Sequence, residues 1–373
     1  MRPALKAGLR PLWRDRRTLQ IGVDPRRAAA LTGLGKAAAI VSLLDGSRDA
    51  AEVERTAAEY GIAPAAVNRV LGLLASAGVL DDFPAHLHQA LPDYLRARLA
   101  PELACAALAY GHGDGGAAVI ARRRAAFVRV YGADRIGACI ATLLAASGVA
   151  WVTCRDGGIA GEADIAPAGL GTADVGDARA AGVDRAVHRV ARETRTGDDP
   201  RRLPDLAVLA GRPDPVDVAE LMRGRVPHLA VRAEEAIGVV GPLVEPGRSA
   251  CLRCADLART ARDSAWPLIL AQAGGAPGAG GPGAPGAPAT SPQACDTVLA
   301  AATAALAAAQ ALTFIDRAAP HVTRNGTLEV VLPDWQWHRR TWSPHLACTC
   351  GAAAVAASSR ALSPGTAREY ASD

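Results

Sequence analysis

The sequence predicts an α/β protein, a doubly wound sheet preceded by a small winged-helix domain. Three observations point there. From residue 126, AFVRVYG, IGACIATLLAASG and VAWVTCRD run in succession. Strand, glycine turn, helix, strand and acid in that order make a dinucleotide-type, Rossmann-like βαβ unit. Two further buried-strand runs, LPDLAVLAG (203–211) and VPHLAVRAEE (226–235), flank a short helix at 215–224, which extends the alternation of strand and helix. Residues 1–85 read as a hairpin, three helices and a terminal strand, the order of a winged helix.

Composition bounds the reading. The 373 residues are 50% hydrophobic, enough for a sizeable core and two domains. The net charge of +4 is weak for this length and does not argue for nucleic acid. The first residues, MRPALKAGLRPLWRDRR, lack the apolar stretch of a signal peptide. The apolar run 299–315 is alanine-rich and broken by Thr303 and Gln310, so no membrane span is expected. A cytoplasmic protein is the expectation. Lysine occurs only at Lys6 and Lys36, so chemistry beyond residue 36 must proceed without one.

The elements follow in order. RPLWR and TLQIG surround the polar turn Asp15-Arg16-Arg17 and suggest the hairpin. Helices are expected near 26–43, 49–60 and 64–77. Ser47-Arg48-Asp49 with Glu52 marks a helix start. Pro64 sits in a first turn, where its missing N–H costs little. Val67, Val70, Leu71 and Leu74 share one helical face, and Val79-Leu80 begins a short strand. Residues 86–118 form a helical linker, with a helix from Leu87 to Leu108 and then GHGDGG at 111–116. The α/β domain occupies 119–351. Within it AIGVVGPLVEPG is extended and turn-rich, 273–293 is a Pro/Gly/Ala loop expected to be disordered, a long helix covers 295–316 and a strand 326–332. Residues 352–373 read as a tail.

Several motifs could carry chemistry. In Gly132-Ala133-Asp134-Arg135-Ile136-Gly137, followed by Asp156, the turn would offer backbone N–H groups to phosphates and the acid would accept from ribose hydroxyls. Asp134 stands where such turns carry a second glycine, and a carboxylate there repels a phosphate. Cys251 and Cys254, with Cys348 and Cys350, are two chelating pairs that can complete a tetrahedral zinc site of structural type. Arg122, Arg123, Arg124 and Arg129 are expected on a solvated face. His228 is expected as a satisfied core histidine, and His345, just before the CTC pair, is a lesser candidate for supporting the metal ligands or replacing one of them. Cys295, at a helix start, is expected to be structural rather than reactive.

Residues 126–351 resemble the ThiF/MoeB/HesA group, whose fold is that of the ubiquitin-activating enzymes. VYGADRIG, the strand ending at Asp156, IAGEADIAP, LGTADVGDARA and the CLRC…CTC pairs carry the resemblance. It implies an E1/ThiF-type sheet, adenylation of a peptide C-terminus with ATP and Mg²⁺, a structural zinc and a homodimer. The residues that would meet the nucleotide are Gly132, Asp134, Gly137, Asp156, Arg179 and Asp214. The chain departs from the family pattern at several of them. Asp134 replaces a glycine, Asp164 replaces an asparagine, Arg179 replaces the phosphate-contacting lysine, and Gly211-Arg212-Pro213-Asp214 replaces the metal-binding motif. A catalytically degenerate site is therefore expected, because phosphoryl chemistry needs charge placed where it develops.

LWRDRRTLQIG, LLDGSRDAAEV and VNRVLGLLASAGVLDD resemble the PqqD-like peptide-recognition winged helix. Fused to a degenerate ThiF-like domain, that module is similar to the leader-binding partner of thiazole/oxazole-forming (TOMM) cyclodehydratases, in which a YcaO-type enzyme performs the ATP chemistry. The resemblance implies a leader peptide added as a strand near Thr18–Val23 against the 64–77 helix, with Leu19, Ile21, Val67, Val70, Leu71 and Leu74 contributing. The alternative is an active ATP-dependent adenylyltransferase using Arg179, Asp156 and Asp214 in shifted roles. DNA binding is disfavoured, since the candidate recognition helix carries only Arg69.

Overall fold

A computed structural model describes residues 1–82, 91–273 and 294–355. The chain divides into two compact units, Met1–Arg124 and the remainder from Ala125.

In the first unit, β1 (Pro3–Leu5) pairs antiparallel with β5 (Leu80–Asp82), and β2 (Pro11–Trp13), β3 (Thr18–Ile21) and β4 (Ala29–Thr32) form a sheet in that order. Asp15 makes the β2–β3 turn by accepting from the Arg17 and Thr18 N–H groups at 2.7 and 2.8 Å. The helix expected over 26–43 is instead β4 and a 3-10 helix, Gly35–Leu43. Gly33 and Gly35 both take positive φ there, +70° and +50°, which an α-helix does not accommodate. Helix α1 (Ala50–Glu59) opens on the reciprocal Asp49–Glu52 cap, and α2 (Pro64–Ser76) follows. Lys6 and Asp81 form a buried ion pair at 2.5 Å, with Lys6 also donating to the Ala107 carbonyl. Further along come α3 (Asp93–Arg98), α4 (Ala100–Tyr110) and α5 (Ala117–Ala125). Residues 87–90 of the expected helix lie outside the described residues.

The second unit holds a seven-stranded sheet. Its strands are β6 (Phe127–Tyr131), β7 (Trp151–Arg155), β8 (Leu206–Ala210), β9 (His228–Glu234), β10 (Ile237–Val244), β11 (Gly326–Val331) and β12 (Trp337–Thr341), in the order β12-β11-β10-β9-β8-β6-β7. The pairs β7–β6, β6–β8 and β8–β9 are parallel, and β9 through β12 are antiparallel. Residues 236–247, expected as extended and turn-rich, supply the strand β10, and β12 was not expected. Residues 274–293 and 356–373, which cover nearly all of the expected loop and most of the tail, lie outside the described residues.

Side-chain alternation assigns the two faces of this sheet. Leu206, Val208, Leu229, Val231 and Ala233 join α6 (Arg135–Ala146), α7 (Arg179–Val190) and α11 (Thr297–Ile315) in one core. Helix α11 is long and apolar enough to cross a membrane. Its Leu299, Ala300, Thr303, Ala304, Ala307, Ala308, Ala311 and Ile315 are buried, so its apolar character serves this core. On the other face, Tyr131, Ala207 and Leu209 pack under Leu221 of α8 (Pro215–Arg223). The solvated arginine face is corrected in part. Arg123 and Arg129 are buried and paired with Glu102 and Asp198 at 3.1 and 2.5 Å, because burying a charge requires a partner.

Candidate functional site

The βαβ turn is built by close approach. A Cβ on Gly132, at φ +93°, would stand 2.4 Å from the Ala210 carbonyl oxygen, and one on Gly137 would stand 2.0 Å from that of Gly132. The two glycines thus let the turn, α6 and the end of β8 meet. Asp134 caps α6, its Oδ1 accepting from the Ile136 and Gly137 N–H groups at 3.0 Å each. Those are donors that would otherwise face an anion at a helix N-terminus.

Asp156, at the end of β7, accepts from the Ala133 and Gly158 N–H groups at 2.8 and 2.7 Å and from Arg179 Nε at 3.0 Å. Arg179 reaches Asp164 at 3.5 Å as well. Burial opposes its charge, yet Asp156 and Asp164 outweigh that and hold its pKa above the usual value. Gly132, Asp134, Gly137, Asp156 and Arg179 therefore come together, with the charges closed on one another. Asp214 stands on the loop after β8, exposed, and caps α8 through the Val216 N–H at 2.7 Å.

The four cysteines converge. Cys251 precedes α9 (Leu252–Thr260) and Cys254 lies in its first turn. Sγ separations are 3.7 Å for Cys251–Cys254, 3.5 Å for Cys251–Cys348 and 3.6 Å for Cys254–Cys350, and all four atoms lie within 4.8 Å of one another. A tetrahedral thiolate site with metal–sulfur bonds of about 2.3 Å has edges of about 3.8 Å, so the sulfurs can hold a metal ion. Burial pushes the Cys251 and Cys348 thiols up. Burial opposes ionisation of Cys254 too, but the hydrogen bond it accepts from the His345 N–H at 3.4 Å helps bring it below the usual value. His345 thus serves through its backbone. Cys295 is pushed up to about 11 by burial, which suits a structural thiol.

Leu19, Ile21, Val67, Val70, Leu71 and Leu74 all lie in the core of the first unit. The edge expected near Thr18–Val23 is corrected. β3 is the central strand, bonded to β2 and β4 on its two sides, because the third strand β4 was not anticipated. The open edges are β2 and β4, and Leu12, Trp13 and Leu73 are exposed.

A feature that sequence reasoning missed is a cleft of about 1410 Å³ in the second unit, running from the loop after β8 to the cysteine cluster. Its wall includes the outer face of β9. The signal was present in HLAVR, whose His228, Ala230 and Arg232 alternate with the core residues Leu229 and Val231.

No protein-family model and no curated relative matches the sequence. Solved structures do match. E. coli MccB in a crystal with AMPCPP and selenomethionine MccA superposes with a TM-score of 0.66 at 14% identity, covering 94% of this chain and 100% of that one. This chain has the MccB fold. It is the doubly wound E1/ThiF-type fold expected from the sequence. E. coli MccB with ATP gives a TM-score of 0.63 at 15% identity, covering 94% and 100% of the two chains. A heterocyclase in complex with substrate and cofactor gives 0.61 at 13% identity, over 98% of this chain and 41% of that one.

Proposed function

We propose that this chain captures a ribosomally made precursor peptide by its leader. It then presents the peptide to a YcaO-type cyclodehydratase that forms thiazoles or oxazoles, without adenylating the peptide itself. The observation that carries the reading is the closed turn. The donors a nucleotide would need at the start of α6 are bonded to Asp134, and Arg179 is held by Asp156 and Asp164. A phosphate would have to displace carboxylates from both. That the MccB fold holds the MccA peptide, and the heterocyclase a substrate, supports the peptide half.

In the first unit the leader adds as a strand to the β2 or β4 edge, where unpaired backbone groups await a partner. Cys251, Cys254, Cys348 and Cys350 hold a structural zinc that fastens the start of α9 to residues 348–350. Four thiolates leave no open coordination position, so the ion supplies stability and no chemistry.

The test is calorimetric titration of the full chain with MgATP. No heat up to millimolar nucleotide is expected. Micromolar binding that EDTA abolishes would overturn the reading in favour of an adenylyltransferase. That second reading is favoured by one specific observation, the MccB structures with ATP and AMPCPP. It requires Asp134 to leave the helix terminus and Arg179 to leave its carboxylates.

A further inference from the structure

The open edge of β2, in the first unit, has backbone and side-chain groups that its own sheet leaves free. Gly22 N–H donates to the Arg10 carbonyl at 2.8 Å, and Arg14 N–H to that of Thr18 at 3.0 Å. The same register sets Leu12 opposite Gln20 and Trp13 opposite Leu19. Antiparallel pairing alternates along a strand. Arg10, Leu12 and Arg14 therefore turn their backbone groups toward β3, and Pro11 and Trp13 turn theirs to the open side. Pro11 lacks an N–H only where β3 does not need one. The edge thus offers the Pro11 carbonyl together with the N–H and carbonyl of Trp13.

The side chains of this edge make two further demands. Trp13 shares a sheet face with the buried Leu19 and Leu31, yet is itself 60% exposed. An indole on the core side of an uncovered edge is apolar area that one more strand would bury. Arg10, Leu12 and Arg14 project from the other face. Residues 10–17 are all exposed and hold Arg10, Arg14, Arg16 and Arg17 against one acid, Asp15. The Asp15 carboxylate is taken up by the N–H groups of Arg17 and Thr18. Among the described residues, no carboxylate pairs with any of the four guanidinium groups, whereas the nearby Arg26 is held by Asp24.

Arginines and a proline along an edge discourage pairing with like strands. They bar a second copy of β2, whose arginines would face these, and they admit a strand of opposite charge. The other open edge, β4, carries no charge over Ala29–Thr32. We propose that the β2 edge docks an acidic extended segment of a second protein, as a fourth strand of this sheet. An antiparallel segment sets apolar residues against Trp13 and Leu12 and carboxylates opposite Arg14 and Arg10. The proposal deepens the peptide-capturing reading, since it leaves β4 to the leader and gives β2 to another partner.

The experiment uses the full chain and fluorescence anisotropy. The probe is a labelled, end-capped peptide of glutamate, valine, valine, threonine and glutamate. Its controls are the glutamine counterpart and a copy methylated on the nitrogen of the valine that meets Trp13. The glutamate peptide should bind about tenfold more tightly than the glutamine one, as two surface ion pairs allow. Arg10→Gln combined with Arg14→Gln should remove that factor, and so should salt at about 1 M. The methylated copy should not bind to the unaltered chain, because it lacks the donor to the Trp13 carbonyl. Trp13→Pro, which deletes the outward N–H and the indole, should weaken binding at least about tenfold. Ala30→Pro, which deletes an outward N–H of β4, should not. Equal binding of the glutamate and glutamine peptides, full binding of the methylated copy, or no binding up to about 1 mM would overturn the proposal. Loss in Ala30→Pro alone would overturn it by moving the acidic strand to β4. Displacement by a DNA oligonucleotide at the peptide's own concentration would overturn it in favour of a nucleic-acid surface. None of these readouts uses the leader, so their failure leaves leader capture standing.

Discussion

At the carboxyl ends of β6 and β7, Asp134, Asp156 and Arg179 are bonded to each other or to nearby backbone N–H groups. On the outer face of β9, His228 Nε2 has no hydrogen-bond partner, and Arg232 shares Glu234, at 3.9 Å, with Arg212 while facing the like charge of Arg259. Both regions belong to one sheet. The difference teaches that a motif's position in a fold does not make it a ligand site. What matters is whether its polar groups are already satisfied. Asp134 supplies from within the chain the negative charge that a phosphate would bring, so the turn has gained stability where such turns usually bind.

Three measurements break or sharpen this comparison. The largest effect belongs to the cysteine cluster at the far end of the cleft. Cys254→Ser should lower the metal content from one zinc per chain to none by plasma mass spectrometry. It should also destabilise the second unit by on the order of 5 kcal/mol, since metal binding energy is folding energy. Unchanged metal content in that variant would mean that these sulfurs are not the ligands.

Next comes the closed turn itself. Asp134→Gly frees two N–H groups at the start of α6 at a stability cost of only a few tenths of a kcal/mol. Pyrophosphate affinity should then rise about tenfold, or about 1.4 kcal/mol, by calorimetry. No gain would show that Arg179 and its carboxylates alone close the site.

The smallest effect is the pH dependence at His228. Burial holds its pKa below the ordinary 6.5, so the folded chain binds fewer protons here than the unfolded one. Its contribution to stability is present above pH 6.5 and is lost as the pH falls through the folded value. The melting temperature should fall as the pH drops below 6.5, and His228→Leu should flatten that fall. A slope equal in both proteins would mean that other groups govern it.

Much of the architecture was legible because local chemistry and burial agree. AFVRVYG, LPDLAVLAG and VPHLAVRAEE are short apolar runs bounded by turn residues, and each became a strand. Asp49 with Glu52 announced α1. The misses share a cause. β4 and β12 are short segments whose conformation is decided by a partner strand, β3 for the one and β11 for the other.

The sites divide in the same way. The spacing of Cys251 and Cys254, and of Cys348 and Cys350, already identified two chelating pairs, and the identity of Asp134 already argued against a phosphate. Those conclusions depend only on which side chains stand a few residues apart. That the pairs lie within 4.8 Å, that Arg179 is locked between Asp156 and Asp164, that β3 is central, and that His228 and Arg232 share the wall of a cleft were decided by the tertiary structure alone. Each depends on segments distant in the chain meeting across a sheet. The local pattern of a segment states which face it buries, and says nothing of which remote group lies opposite.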